Sequence, residues 1–328
     1  MIGRILKKTF SGKLNILTIP THESAESNLA QTAHNFYALT FPPERNPYKL
    51  KSWDTKYRPL LPNYTLLKDK LPQDIQFDLV LSQHKFGQIQ TLGPIAERLR
   101  IPLIQYEHTQ PYKDWPESYI LNLKQLRGNY NVFISEYSRD KWLWGPDEGL
   151  VIRHGLDSDL FCPGLGDKTN HLLSVCNDWV NRTLPCGFDT WQEVSKGFPV
   201  KVVGATPGFS EPAKSTSELV EFYQKSRVFL NTSRFSPIPM SLMEAASCEC
   251  AIVTTHNPMI AELIENGKNG FISNCTKQLR EYCQLLLNDE ALALELGRNA
   301  RKTILEKFSL KKFVDDWNDL FQRAVDSN

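Results

Sequence analysis

The sequence predicts an α/β protein of two domains, each organised on a parallel sheet. Three observations carry this. Short apolar runs rich in Val, Ile and Leu recur along the chain and alternate with segments of helical periodicity, the βαβ rhythm that calls for parallel strands with helical crossovers. A chain of 328 residues with 41% hydrophobic content is long enough to bury two cores. One stretch, 228–255, reads as strand, tight loop, helix and strand, the unit in which a helix start faces the carboxyl end of a sheet.

In chain order, 14–19 is the first strand, 20–24 its loop, and 26–39 a helix with Leu29, Ala33, Phe36 and Tyr37 as its buried stripe. Residues 41–74 hold Pro42, Pro43, Pro47, Pro59, Pro62 and Pro72, which predicts an irregular connection with at most short helices. A strand at 77–81, a helix at 89–100, strands at 101–106 and 130–135, and a helix from Glu136 complete the first domain, which 150–157 closes. The second domain opens with a strand at 171–175. Strands at 198–204 and 228–230 and a helix at 218–225 follow. Pro239 suits the first position of the next helix, which carries Met240, Leu242, Met243, Ala245 and Ala246 before the strand 251–255. A helix from Met259, a glycine turn with a strand around 271, and helices at 278–288, 290–307 and 310–324 end the chain. The expected division is 1–165, 166–308 and a last helix within 309–328 that packs back on the first domain.

Composition excludes several function classes. Lys+Arg 38 against Asp+Glu 37 leaves no global pull toward nucleic acid or an anionic membrane. Basic residues gather locally at Arg4, Lys7, Lys8 and Lys13, and at Lys49, Lys51, Lys56 and Arg58 beside Trp53 and Tyr57, first of all as solvated faces. Seven cysteines without a CxxC pair fit reduced thiols better than a disulfide or zinc framework. No stretch approaches the ~20 apolar residues of a membrane span, so the expected location is cytoplasmic, with peripheral membrane contact left open. Asp157-Ser-Asp159 lies in a domain-closing context without other metal ligands, and no metal is expected there.

The site begins at the helix start after Pro239. First-turn N–H groups at the carboxyl end of a parallel sheet take anions, phosphates above all. Glu244 follows on the second turn, where a carboxylate suits a sugar diol such as ribose rather than the phosphate. In the first domain, His22 and Glu23 are titratable groups at the carboxyl end of the first strand, a candidate acceptor or catalytic site. His84 and His108 follow later strands in the same way.

Glu244-Ala-Ala-Ser and Ala251-Ile-Val-Thr-Thr255 resemble the nucleotide-sugar motif of retaining glycosyltransferases with the GT-B fold, family 4. The closing segment 150–157, the Tyr106-Glu-His108 run and the glycine turn at Gly267 and Gly270 are similar to that family too. The family's first Glu is absent: Ser236 stands in its place eight positions before Glu244, and Pro237 and Pro239 replace its glycines. The resemblance implies two Rossmann-like domains with an interdomain cleft. It implies a nucleotide-sugar donor, linked to UDP, GDP or ADP, on the second domain, and a metal-independent transfer that retains anomeric configuration. Ser236, Ile238, Pro239, Met240, Ser241, Leu242 and Glu244 would form the donor loop and helix start, Asn177 and Arg182 the positions of the family's Arg and Lys, and His108 the group at the transferred sugar.

The expected acceptor is a glycan or lipid-linked sugar, with a hydroxymethylated pyrimidine in DNA as the rival. A steep salt dependence of duplex binding would separate the two. Two other readings keep the fold and change the role: a nucleotide-sugar epimerase, and a catalytically silent relative that binds a nucleotide sugar or a partner protein.

Overall fold

A computed structural model describes residues 12–21, 23–41, 60–68, 70–83 and 88–327. The chain divides into two compact units, one of residues 1–155 with 311–328 and one of 156–310. The division therefore falls at Gly155, not at 165.

The first unit runs β1 (Asn15–Thr18), α1 (Glu23–Ala30), β2 (Asn35–Leu39), β3 (Tyr64–Leu67), β4 (Leu79–Ser82), α2 (Gln88–Leu99), β5 (Leu103–Glu107), α3 (Glu117–Lys124), β6 (Tyr130–Phe133), α4 (Glu136–Lys141) and β7 (Leu150–Val151). Its seven strands pair in parallel in the order β3-β2-β1-β4-β5-β6-β7. The chain leaves β1 toward one edge and returns at β4 toward the other, so the carboxyl ends of β1 and β4 flank a topological switch point. Ligands of open α/β sheets bind there.

Two sequence expectations fail here. Residues 26–39 are not one helix: α1 ends at Ala30, Ala33 turns the chain at a φ of 62°, and 35–39 form β2. Leu29, Ala33, Phe36 and Tyr37 fit a helical stripe as well as a strand, and a run this short is decided by its partners. In-register pairing of Asn35–Ala38 with Asn15–Thr18 buries Phe36 and Ala38 completely. The proline-rich connection likewise ends in a strand, β3, which pairs with β2 from Tyr64 to Leu67.

The second unit runs β8 (Thr169–Val175), α5 (Thr183–Cys186), α6 (Phe188–Ser195), β9 (Val200–Val203), α7 (Thr216–Lys225), β10 (Ser226–Asn231), α8 (Met240–Ser247), β11 (Ala251–Thr254), β12 (Phe271–Ile272), α9 (Thr276–Asn288) and α10 (Glu290–Lys307). Its parallel sheet has the order β12-β11-β10-β8-β9, which puts the switch point between β8 and β10. The helix expected from Met259 is a single 3-10 turn at Ile260–Glu262, and Pro239 caps α8 instead of entering it. Leu172, Val228, Leu230 and Val253 line one face of the sheet and form a core with Leu279 and Leu286 of α9.

The Lys168 Nζ donates to four carbonyls, Tyr223 (3.3 Å), Gln224 (3.2 Å), Ser226 (3.2 Å) and Cys248 (3.0 Å). These close the ends of α7 and α8, where helix dipoles favour a cation. Lys168→Met is expected to destabilise the second unit by roughly 2 kcal/mol, because the carbonyls lose a shared donor. Urea unfolding checks this, and an unchanged midpoint would dismiss the clamp.

The last helix, α11 (Leu310–Asp326), buries Phe313, Trp317, Leu320, Phe321 and Ala324. Its residues from 311 onward belong to the first unit. Trp317 meets Tyr106 edge-on at 4.9 Å, and Phe321 meets Phe36 at 6.3 Å. No helix among the described residues is long and apolar enough to cross a membrane.

Candidate functional site

In the second unit two loops leave the switch point side by side. The loop after β10 is organised by its own polar side chains. Asn231 Oδ1 accepts from Ser233 N (3.1 Å) and Thr254 Oγ1 (3.3 Å), Thr255 Oγ1 donates to Ser233 O (2.7 Å), and Asn257 Nδ2 donates to Ser236 O (2.6 Å). The loop after β8 joins it where Arg234 N and Phe235 N donate to Pro185 O at 2.9 and 3.2 Å. Gly187 makes this approach feasible. A Cβ there would lie 2.0 Å from Thr232 O, and its φ of 64° is already unfavourable for a side chain.

Pro239 is extended at φ −64° and ψ 133° and gives α8 no side-chain cap. Its carbonyl accepts from Leu242 N and Met243 N at 3.0 and 3.3 Å, which starts the helix. Ser236, Pro239, Met240 and Ser241 are half-buried, whereas Ile238 and Leu242 are buried, so these two side chains serve the core and can offer a ligand only backbone. The Ser236 Oγ donates to Pro237 O at 2.9 Å. Glu244 is 7% exposed, and its Oε2 accepts from the Tyr223 hydroxyl at 2.8 Å. Burial and the Glu244 charge push the Tyr223 phenol well above its ordinary range, so it stays a donor that holds the carboxylate in place.

Arg182 is exposed at the cap of α5. Asn177 Oδ1 accepts from Ala205 N at 2.9 Å and so supports the neighbouring loop. Sequence reasoning passed over Arg234, which pairs with Asp189 at 2.8 Å beside the same loops, and over Tyr223. Neither has a motif of its own; only the fold brings them to the site.

In the first unit His108 directly follows β5 and is half-buried. Its ring lies 4.0 Å from that of Tyr106 and 5.6 Å from that of His154, nearly parallel to the latter at 18°. His108 Nε2 is 3.3 Å from Gln83 Oε1, the residue after β4. Gln83 in turn reaches the buried Glu26 on α1. Glu23 opens the same helix, half-buried, while His22 and His84 lie outside the described residues. Glu26, Gln83, Tyr64 and His154 had no signal in the sequence beyond their type.

The family model for glycosyl transferases group 1 matches residues 212–303, which include β10, α8 and Glu244. Over 110 residues the chain is 31% identical to the capsular polysaccharide biosynthesis glycosyltransferase CapM of Staphylococcus aureus, covering 33% of this chain and 29% of that protein. Over 229 residues it is 23% identical to a probable sucrose-phosphate synthase of Thermosipho melanesiensis, covering 61% of this chain and 52% of that one. The matches thus span about half or less of these relatives' lengths. The crystal structure of Anabaena Alr3699/HepE in complex with UDP superposes with a TM-score of 0.70 at 12% identity, over 95% of this chain and all of that one. Shared topology at so low an identity speaks for the fold. The chain has the GT-B fold, and its residues 212–303 match the family model of the group 1 glycosyl transferases.

Proposed function

We propose that the chain is a glycosyltransferase that moves a sugar from a nucleotide sugar to a hydroxyl acceptor, with retention and without a metal. The observation that carries the reading is Glu244, a carboxylate held by Tyr223 one turn into an uncapped helix at the β8/β10 switch point. The N–H groups of Met240 and Ser241, ahead of the two that donate to Pro239 O, take the diphosphate, and Glu244 takes the ribose diol. Arg182 meets the diphosphate as its charge grows during bond cleavage, which favours the transition state over the ground state. His108 serves a hydroxyl at the reacting sugar. UDP in the Anabaena Alr3699/HepE complex supports a UDP-linked donor. The part that the Staphylococcus aureus relative takes in capsular polysaccharide biosynthesis supports a glycan acceptor, and a diphospho-undecaprenol N-acetylgalactosaminyltransferase of Campylobacter jejuni, 35% identical over 92 residues, supports a lipid-linked one.

A thermal-shift screen against UDP, GDP, ADP and their sugar conjugates, with and without a divalent-metal chelator, tests this. The expected result is a rise in melting temperature with UDP compounds that the chelator leaves unchanged, since a ligand that binds only the folded state stabilises it. No shift with any nucleotide at millimolar concentration would move the silent-relative reading to the front, with Ser236, Pro237 and Pro239 as the cause. A shift that vanishes with the chelator would overturn metal independence.

A further inference from the structure

Glu26 sits in the middle of α1 and is fully buried. An isolated carboxylate there would be costly. Instead its oxygens accept from Thr21 N (2.8 Å), Thr21 Oγ1 (3.2 Å), Tyr64 Oη (2.7 Å) and Gln83 Nε2 (2.8 and 3.0 Å). Each of these partners donates, which suits an ionised carboxylate, an acceptor at both oxygens. Burial pushes its pKa up, and the same hydrogen bonds pull it down.

Gln83 links this group to His108. Its Nε2 faces Glu26 and also Thr18 Oγ1 at 3.1 Å, so the other end of the amide, facing His108 Nε2 at 3.3 Å, is oxygen. The reverse orientation would set a carbonyl oxygen against a carboxylate. Gln88 Oε1 accepts from Gln83 N at 2.6 Å and holds the backbone there. An oxygen at that position can only accept, so a neutral His108 carries its proton on Nε2, and Nδ1 becomes the acceptor.

We propose that Glu26 and Gln83 are positioning residues for His108: the carboxylate orients the amide, and the amide selects the imidazole tautomer with which His108 meets the reacting sugar. This rests on the role given to His108 above. Glu26, Gln83 and Thr18 are fully buried, and the chain of hydrogen bonds they form leads from the β1/β4 switch point to half-buried His108 at the end of the neighbouring β5. Packing alone would be served by apolar side chains at lower cost.

The test is 15N NMR of the full chain labelled at histidine, at a pH well above the ordinary imidazole range, with His108 identified by its loss in His108→Gln. Wild type is expected to show a single Nε2–H tautomer. Gln83→Met fills the same space without the amide and is expected to populate Nδ1–H as well, with kcat down about tenfold and the donor KM within about twofold, the split that marks a transition-state effect. Should that variant fail to fold, Gln83→Asn withdraws the amide oxygen and reads the same tautomer. Glu26→Gln keeps an acceptor toward Thr21 and Gln83 and can donate to Tyr64, so it retains the wild-type tautomer and most of kcat, whereas Glu26→Leu loses both. An Nδ1–H ring in wild type, or an unchanged tautomer in Gln83→Met and Glu26→Leu, overturns the relay. The measurement needs no turnover. A wild-type protein that transfers no sugar yet shows the tautomer switch overturns the glycosyltransferase reading and leaves the relay standing.

Discussion

Glu244→Ala is expected to weaken nucleotide binding at least about tenfold, equivalent to ~1.4 kcal/mol. Two charge-assisted hydrogen bonds to a ribose diol contribute about 1.5–3 kcal/mol each, so losing even one produces that change. The alanine also leaves the buried Tyr223 hydroxyl without its acceptor, so binding must be measured where the variant remains folded. Tyr223→Phe separates the two effects: it keeps the carboxylate, frees its orientation, and should cost affinity by a smaller factor. Titration calorimetry with the nucleotide found in the thermal screen decides the matter. Full affinity in Glu244→Ala would remove the ribose role and, with it, the observation on which the donor site rests.

In the first unit Trp317→Ala is expected to cost about 3–5 kcal/mol of stability, the range for removing a fully buried large aromatic side chain. Trp317 has no exposed surface and contacts Tyr106, Phe313 and Phe321 at centroid distances of 4.9, 6.2 and 5.1 Å. The cavity would open directly behind Tyr106, whose ring supports His108 at 4.0 Å. Reduced activity at temperatures where the variant is still folded should therefore accompany the stability loss. Trp317→Phe keeps most of the packing and should cost markedly less. Denaturant unfolding checks both, and a loss below about 1 kcal/mol for the alanine would mean that α11 does not close this core.

Where the pattern was local and repeated, the sequence was enough. The apolar stripe of α11, with Phe313, Trp317, Leu320 and Phe321, reads directly as a helix with one buried face, and it is one. The run at 251–254 reads as a buried strand for the same reason: every residue in it is buried. The parallel α/β class was legible because the order of strands and helices leaves few alternatives, and GT-B followed from the resemblance of Glu244-Ala-Ala-Ser and 251–255 to that family's motif. Glu244 could be singled out because its placement relative to a helix start and a strand is a matter of short spacing.

Other features depended on partners far away in the chain. Residues 35–39 carry a stripe compatible with either helix or strand, and the choice fell to β1, twenty positions earlier, whose open edge they pair with. The hydrogen bonds of Glu26 come from residues 21, 64 and 83, a set no spacing rule connects. Tyr223 and Glu244, and Arg234 and Asp189, likewise meet only after the sheet has ordered its strands. The sequence by itself determined the fold class, the strand–helix–strand unit that carries Glu244 and the buried face of the last helix, because hydrophobic periodicity and turn chemistry act over a few residues. The tertiary structure alone decided which carboxylate is buried, what orients His108 and what holds Glu244, because buried polar groups must find their partners wherever strand order brings them.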